Sequence, residues 1–239
     1  EIPAFIELVT RSGRLPVAVI KNSTLEEVQA AFGDRPSVME GAAYAPVPSQ
    51  TYLDKLAGLR TALPQAHITT YTHIPGVGVE SITDPAGLVT SFEYEAGRLT
   101  CIRDNDGNKV EEHDYSLMAD ENGYRHMRSR VFRSDDGQSV IEDVMWWDRY
   151  GRKTQDIAVG ASGSGEDLVT AYESDFMFHD DVKTWLPYPV QNTAGAFQAD
   201  AASRAADYHG NALAYSLKNY ELSSRDRVVS TALPGYAGE

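Results

Sequence analysis

A chain of 239 residues can form one large domain or two small ones, each able to bury a core. Apolar residues make up 42% of it, and no apolar run approaches the ~20 residues a bilayer-spanning helix needs, so no membrane-spanning segment is expected. The balance of 35 acidic against 21 basic residues gives a net charge of −14, which argues against a nucleic-acid or anionic-membrane surface.

The chain starts at Glu1 without a methionine, from which an export signal or a longer precursor is expected, a sign of processing and not of destination. Residues 16–20 form a short β-branched run that suits a strand. Ser23-Thr24-Leu25-Glu26 carries the Ser-x-x-Glu spacing of a capping box. Leu25, Val28, Ala31 and Phe32 then recur at helical spacing, and Gly33 stands where a left-handed cap would end the helix. Residues 36–49 read as an irregular loop rich in Pro, Ala and Gly. A second helix is predicted over 51–62, with Leu53, Leu56, Leu59 and Leu63 on one stripe and Pro64 closing it.

From about Ile68 the period changes to two. Phe92 and Tyr94 fall on one face of a strand, and Asp84-Pro85-Ala86-Gly87 and Asp104-Asn105-Asp106-Gly107-Asn108 supply turn chemistry. Cys101 lies in such a strand and is read as a buried, inert thiol; a single cysteine leaves no internal disulfide. Strands are predicted over 110–117, 124–133, 140–147 and 154–159, spaced as in a meander. Ser162-Gly163-Ser164-Gly165 reads as a flexible connection, 196–208 as an Ala-rich helix ended by Gly210, and 228–233 as a last strand.

The most informative stretch is Trp147-Asp148-Arg149-Tyr150-Gly151-Arg152-Lys153. An aromatic on the pleat supplies burial, Asp accepts from turn amides, Gly allows the reversal, and Arg pairs with an acid or lies over an aromatic. The stretch resembles the Tyr-Asp-x-x-Gly-Arg core of the YD repeat of RHS-type proteins. Two regions resemble the Bacteroidetes branch of that family. Residues 14–117, with Leu59-Arg60-Thr61-Ala62-Leu63-Pro64, Gly78-Val79-Glu80-Ser81-Ile82-Thr83-Asp84 and Gly97-Arg98-Leu99, are similar to the segment closing the repeat array. Residues 140–235, with Trp147 to Lys153, Trp185-Leu186-Pro187-Tyr188-Pro189 and Tyr220-Glu221-Leu222-Ser223, are similar to the domain preceding the repeats. Tyr94-Glu95-Ala96-Gly97-Arg98 is one residue short of the repeat spacing, and Ser174 to His179 has lost its signature residues. The resemblance implies an exported β scaffold from a Gram-negative bacterium, secreted or on the cell surface. The large shell that long arrays build needs more strands than this chain has.

Constellations for catalysis are weak. His179-Asp180-Asp181 has metal-like chemistry, but adjacent strand residues point apart, so no metal or cofactor is expected. Asp104, Asp106 and Asn108 alternate as in a calcium loop, yet Tyr115 stands where the bidentate Glu belongs. His67, His73, His113, His126 and His209 are scattered without ligand spacing. Ser162 lacks the second glycine of a nucleophile elbow.

Trp146, Trp147, Trp185, Tyr188 and Tyr236 are candidates for an aromatic platform or for core packing, and only one of Trp146 and Trp147 can face the core of a single sheet. The expected fold is mainly β, an antiparallel meander of YD-repeat-like hairpins with two or three peripheral helices, α+β by a strict count. Segments 1–120 and 121–239 are the expected domains, or one continuous body. The expected function is non-catalytic: a binding or adhesion module for carbohydrate or protein, with Trp146, Trp147, Trp185 and Tyr188 as binding residues. Trp147, Asp148, Gly151, Arg152, Tyr94, Gly97 and Arg98 are expected to be structural. The alternatives are an accessory piece of a secreted toxin system, acting by protein contacts, and a glycan hydrolase using Asp180 and Asp181.

Overall fold

The computed structural model describes residues 4–9, 15–33, 50–116, 118, 120, 123–175, 179, 181–221, 225 and 227–235. The expected irregular loop over 36–49, Asp180 and Tyr236 lie outside the described residues. The protein is mainly β, with antiparallel strands that neighbour each other in chain order and three helices among the described residues. No helix among them is long and apolar enough to cross a membrane. The chain divides into two compact units, Glu1–Glu111 and Glu112–Glu239.

In the first unit β1 (Ala4–Val9), β2 (Pro16–Ser23), β3 (His67–Ile74), β4 (Gly78–Thr83), β5 (Val89–Glu95) and β6 (Arg98–Arg103) pair in that order. Two helices, α1 (Leu25–Phe32) and α2 (Gln50–Ala62), join β2 to β3. The capping box sits one residue later than Ser23 and Glu26 would place it. Thr24 is the cap, accepting from the Glu27 amide at 3.2 Å, while the Glu27 carboxylate accepts from the Thr24 amide at 2.8 Å. Ser23 instead donates its hydroxyl to Glu27. Val28 and Phe32 of α1 meet Tyr52, Leu56 and Leu59 of α2 over Val17, Ile20 and Ile68 of the strands. Arg60 ties α2 down by donating to the carbonyls of Ile68, Thr83 and Asp84 and to the Thr70 hydroxyl. Cys101 is buried on β6.

The division between units falls within β7 (Lys109–Tyr115). In the second unit β8 (Arg125–Phe132), β9 (Val140–Trp147), β10 (Lys153–Ala158) and β11 (Asp167–Glu173) pair in order. The far end of β11 pairs with β12 (Lys183–Trp185) and its near end with β13 (Tyr188–Val190). β12 continues the sheet through β14 (Tyr215–Tyr220) to β15 (Val228–Ala232). Val144, Trp146, Ile157, Val169 and Ala171 form the buried face, covered by Ala201 and Ala205 of α3 (Ala201–His209). That helix starts five residues later than its Ala-rich sequence predicts, because residues 193–198 are held against the sheet as an irregular segment.

One turn recurs through both units. At Asp84, Asp104, Asp120, Asp148 and Ser162 the side-chain oxygen accepts the amide four residues on, and a glycine three residues on donates its amide to the first residue's carbonyl. These glycines have φ between 81° and 88°, which a side chain resists. Ser162 therefore opens an ordered turn, not a flexible connection. The short copy at Tyr94 is a different device: Ala96 (φ 49°) and Gly97 (φ 78°) make a two-residue turn with Glu95 opposite Arg98.

Candidate functional site

The second unit devotes polar side chains from four adjacent strands to one segment, residues 193–198. From β11, Asp167 accepts the Thr193 amide at 2.8 Å, the Thr193 hydroxyl at 2.6 Å and the Gly195 amide at 3.3 Å, and its other oxygen accepts the Gly160 amide. Trp146 on β9 donates to the Gly195 carbonyl at 3.0 Å, and Arg128 on β8 to the Ala194 carbonyl at 2.9 Å. Gln155 on β10 clasps Gln198, donating to its carbonyl and accepting its amide. Asp167 is 2% exposed. Burial alone would raise its carboxyl, but the bonds from Thr193, Gly160 and Gly195 outweigh that and hold it below the usual carboxylate range.

Such anchoring fixes a backbone that would not hold itself. Asn192, Ala194 and Asp200 all have positive φ, and Gly195 (φ 75°) lies so close to Val144 that a Cβ would overlap its Cγ2. The segment carries Phe197 onto Tyr124 as a stacked pair with ring centres 4.0 Å apart, and Phe197 meets Trp146 edge-on at 5.5 Å. Beside this wall opens a cleft of about 610 Å³ lined by Tyr124, Thr154, Tyr172, Phe197, Asp200 and Ala202. Asp200 precedes α3 without its side chain capping the helix. A second groove of about 600 Å³ contains Ser162, Ser164, Glu166 and Tyr208, but there Ser164 donates to Glu166 and the Ser162 oxygen accepts the Ser164 and Glu166 amides.

The four aromatic candidates do not gather into an exposed platform. Trp146 (8% exposed), Trp185 (7%) and Tyr188 (2%) belong to the core. Trp146 also meets the His126 ring in a tilted pair with centres 4.5 Å apart, and Trp185 donates to Glu173 at 2.8 Å. The alternation of β9 sends Trp147 to the opposite face, half-buried, across from Arg125 and Lys153. Asp148 accepts the Tyr150 and Arg152 amides and pairs with the Arg152 guanidinium, which also lies 5.2 Å from the Tyr150 ring centre. Asp148, Gly151 and Arg152 thus build the β9–β10 turn, and Gly97 and Arg98 the β5–β6 turn; Tyr94 donates its hydroxyl to the Val79 carbonyl. His179 pairs with Asp175 and stacks on Tyr220, and Asp181 pairs with Lys218. Among the described residues no three His, Cys, Asp or Glu side chains gather as a metal site.

Sequence reading missed Asp167, Gln155, Phe197, Tyr124 and Asp200. The one local signal was a pair of polar residues, Gln155 and Asp167, at positions where strand alternation requires apolar ones.

Comparison with known families gives two matches. The RHS repeat matches residues 79–109, which hold the turns at Asp84, Glu95 and Asp104. The domain of unknown function DUF6443 matches residues 123–237, which hold the Trp147 heptad and the anchored segment. No curated protein matches the chain. Together the two matches cover more than half of the sequence in the order repeat, then domain, and the chain belongs to the RHS/YD-repeat family.

Proposed function

We propose that the chain is a non-catalytic, exported RHS-type β scaffold that binds a carbohydrate or protein partner at the cell surface. Membership in the RHS family suggests a surface or toxin-system protein. One observation carries the binding role: Arg128, Trp146, Gln155 and Asp167 are committed to holding residues 193–198 in a conformation that forms a cleft wall. A fold needs no such device for stability, since apolar residues at those positions would pack without the desolvation cost. A preformed cleft lowers the ordering cost of association. Asp148, Asp167, Asp175 and Asp181 are each held by turn amides, segment amides or a cation, which suits a scaffold better than acid–base work.

The test is retention of the purified chain on a panel of complex polysaccharides and on intact cell envelopes, with reducing ends assayed in parallel. Micromolar retention without new reducing ends is expected. Released reducing ends would overturn the non-catalytic reading, and absence of retention on polysaccharides and envelopes alike would overturn the binding one.

A further inference from the structure

We infer that the cleft beside the Tyr124–Phe197 pair is a saccharide site that takes the uncharged pyranose end of a glycan. This rests on the binding role proposed above and names its ligand and place.

The volume comes first. About 610 Å³ lies within the ~300–1,000 Å³ typical of small-molecule sites, and is a concavity where a protein partner would need a broad patch. Its chemistry is that of a sugar's two-sided surface. A pyranose presents an apolar C–H face and a rim of hydroxyls; Tyr124 and Phe197 offer apolar aromatic surface for the former, while the Tyr172 ring carries Lys153 Nζ 4.4 Å from its centre. For the rim, the cleft offers a carboxylate. The Asp200 side chain is exposed and makes no capping bond, so both its oxygens can accept from neighbouring hydroxyls.

Charge decides which sugars fit. Asp200 is the one charged residue among the described residues lining the cleft, and the whole chain carries −14. Uronic acids, sialic acids and phosphorylated sugars would meet the Asp200 charge, and the cations behind the described lining are already engaged, Lys153 with Asp156 and the Tyr172 ring and Arg204 with Gln198. The wall is fixed in advance. Gln155 and Gln198 occupy each other's polar atoms, and Arg204 donates to the remaining Gln198 oxygen at 2.9 Å, so the cleft needs no rearrangement to accept a ring.

The experiment uses the full chain, with methyl glycosides of glucose, galactose, mannose and N-acetylglucosamine as probes and methyl glucuronide as the charged control. Saturation-transfer and protein-observed NMR read binding. At least one neutral glycoside should bind with a millimolar Kd, as expected for a single ring, and at least about tenfold tighter than the glucuronide. Ala199→Trp fills the cleft from an exposed lining position, and Asp200→Asn keeps a residue that tolerates positive φ while removing the charge. Both should leave the thermal midpoint in place and weaken the neutral glycoside by about tenfold or more. No binding of any neutral glycoside to the unaltered chain, or tighter binding of the glucuronide, would overturn the assignment. Polysaccharide or envelope retention that survives Ala199→Trp would place the ligand elsewhere and leave the binding role standing. Loss of all retention by the unaltered chain would remove both.

Discussion

Asp167 and Thr193, 26 residues apart in the chain, are joined twice through one oxygen: Oδ2 accepts both the amide and the hydroxyl of Thr193, at 2.8 and 2.6 Å. Three backbone amides in all depend on this buried carboxylate. Removing it leaves buried donors without partners, at roughly 1–3 kcal/mol for each that water cannot reach. Asp167→Ala should therefore cost about 3 kcal/mol or more. The three tryptophans, Trp146, Trp147 and Trp185, all lie in the second unit, so denaturation followed by their fluorescence reports that unit directly. A loss below about 0.5 kcal/mol would mean the segment holds itself.

The same carboxylate sets an acid limit. Its folded pKa lies below the ordinary value, while in the unfolded chain it titrates near ~3.9. A depressed carboxylate contributes stability that is fully present above the unfolded value and is lost as pH falls through it toward the folded one. The second unit should thus lose stability below about pH 4, and Asp167→Asn should flatten that slope. An unchanged slope in the variant would assign the acid limit to other carboxylates.

Gly195 and Gly151 separate backbone preference from packing. Both have positive φ, 75° and 84°, but a Cβ at Gly151 meets nothing within 4 Å whereas one at Gly195 would overlap Val144. Gly151→Ala should cost about 1 kcal/mol from conformation alone. Gly195→Ala adds overpacking of about 1–3 kcal/mol and should displace Phe197 from Tyr124. Equal losses for the two variants would show that the segment can shift away from β9.

How far the residues announce this architecture varies along the chain for identifiable reasons. The helices were legible because Val28, Phe32, Leu56 and Leu59 recur on one face and Gly33 stops α1. The cap slipped by one because Ser23 and Thr24 each have a Glu three residues on; Ser23 still belongs to β2, and it is Thr24, directly before the helix, whose hydroxyl reaches the N3 amide. β11 was hidden because its buried face reads Asp167, Val169, Ala171 while Leu168 and Tyr172 lie on the more exposed one. α3 was extended too far because alanines at 194, 196 and 199 favour a helix locally, and the bonds that prevent one come from Asp167, Trp146 and Gln155 on distant strands. The turn template was half visible: Asp84, Asp104 and Asp148 read as turns singly, but Ser162 concealed that a hydroxyl fills the same role. The cleft could not be read at all, since Tyr124 and Phe197 meet only through that anchoring.

The Asp148–Arg152 pair isolates the turn chemistry of the heptad. The carboxylate accepts two amides as well as the guanidinium, and the guanidinium bonds to Asp148 and lies against the Tyr150 ring. Asp148→Ala should therefore cost more, about 1–2 kcal/mol, than Arg152→Ala. A double-mutant cycle should give a coupling near ~0.5–1 kcal/mol, reduced by salt because both side chains reach solvent. Equal single-variant losses would mean that the amides find water as readily as the carboxylate.

His73 gives the first unit a pH dependence in a different range. It is 3% exposed on β3, and neither ring nitrogen has a hydrogen-bond partner among the described residues. Burial disfavours the charged imidazolium and lowers its pKa below the ordinary ~6.5. A histidine depressed in the fold is neutral there and gains a proton more readily when unfolded. Its contribution is therefore intact above about pH 6.5 and falls away as pH drops below that value, by at most ~1.4 kcal/mol per pH unit. His126 in the second unit is lowered by burial and by Arg128, so the second unit carries such a group as well. Hydrogen exchange of β3 amides at pH 7.5 and 5.5 should show the first unit loosening at the lower pH, and His73→Leu should abolish most of that difference. An imidazole proton of His73 titrating by NMR at or above about 6.5 would refute the assignment, because a buried ring without partners cannot hold its charge at ordinary cost.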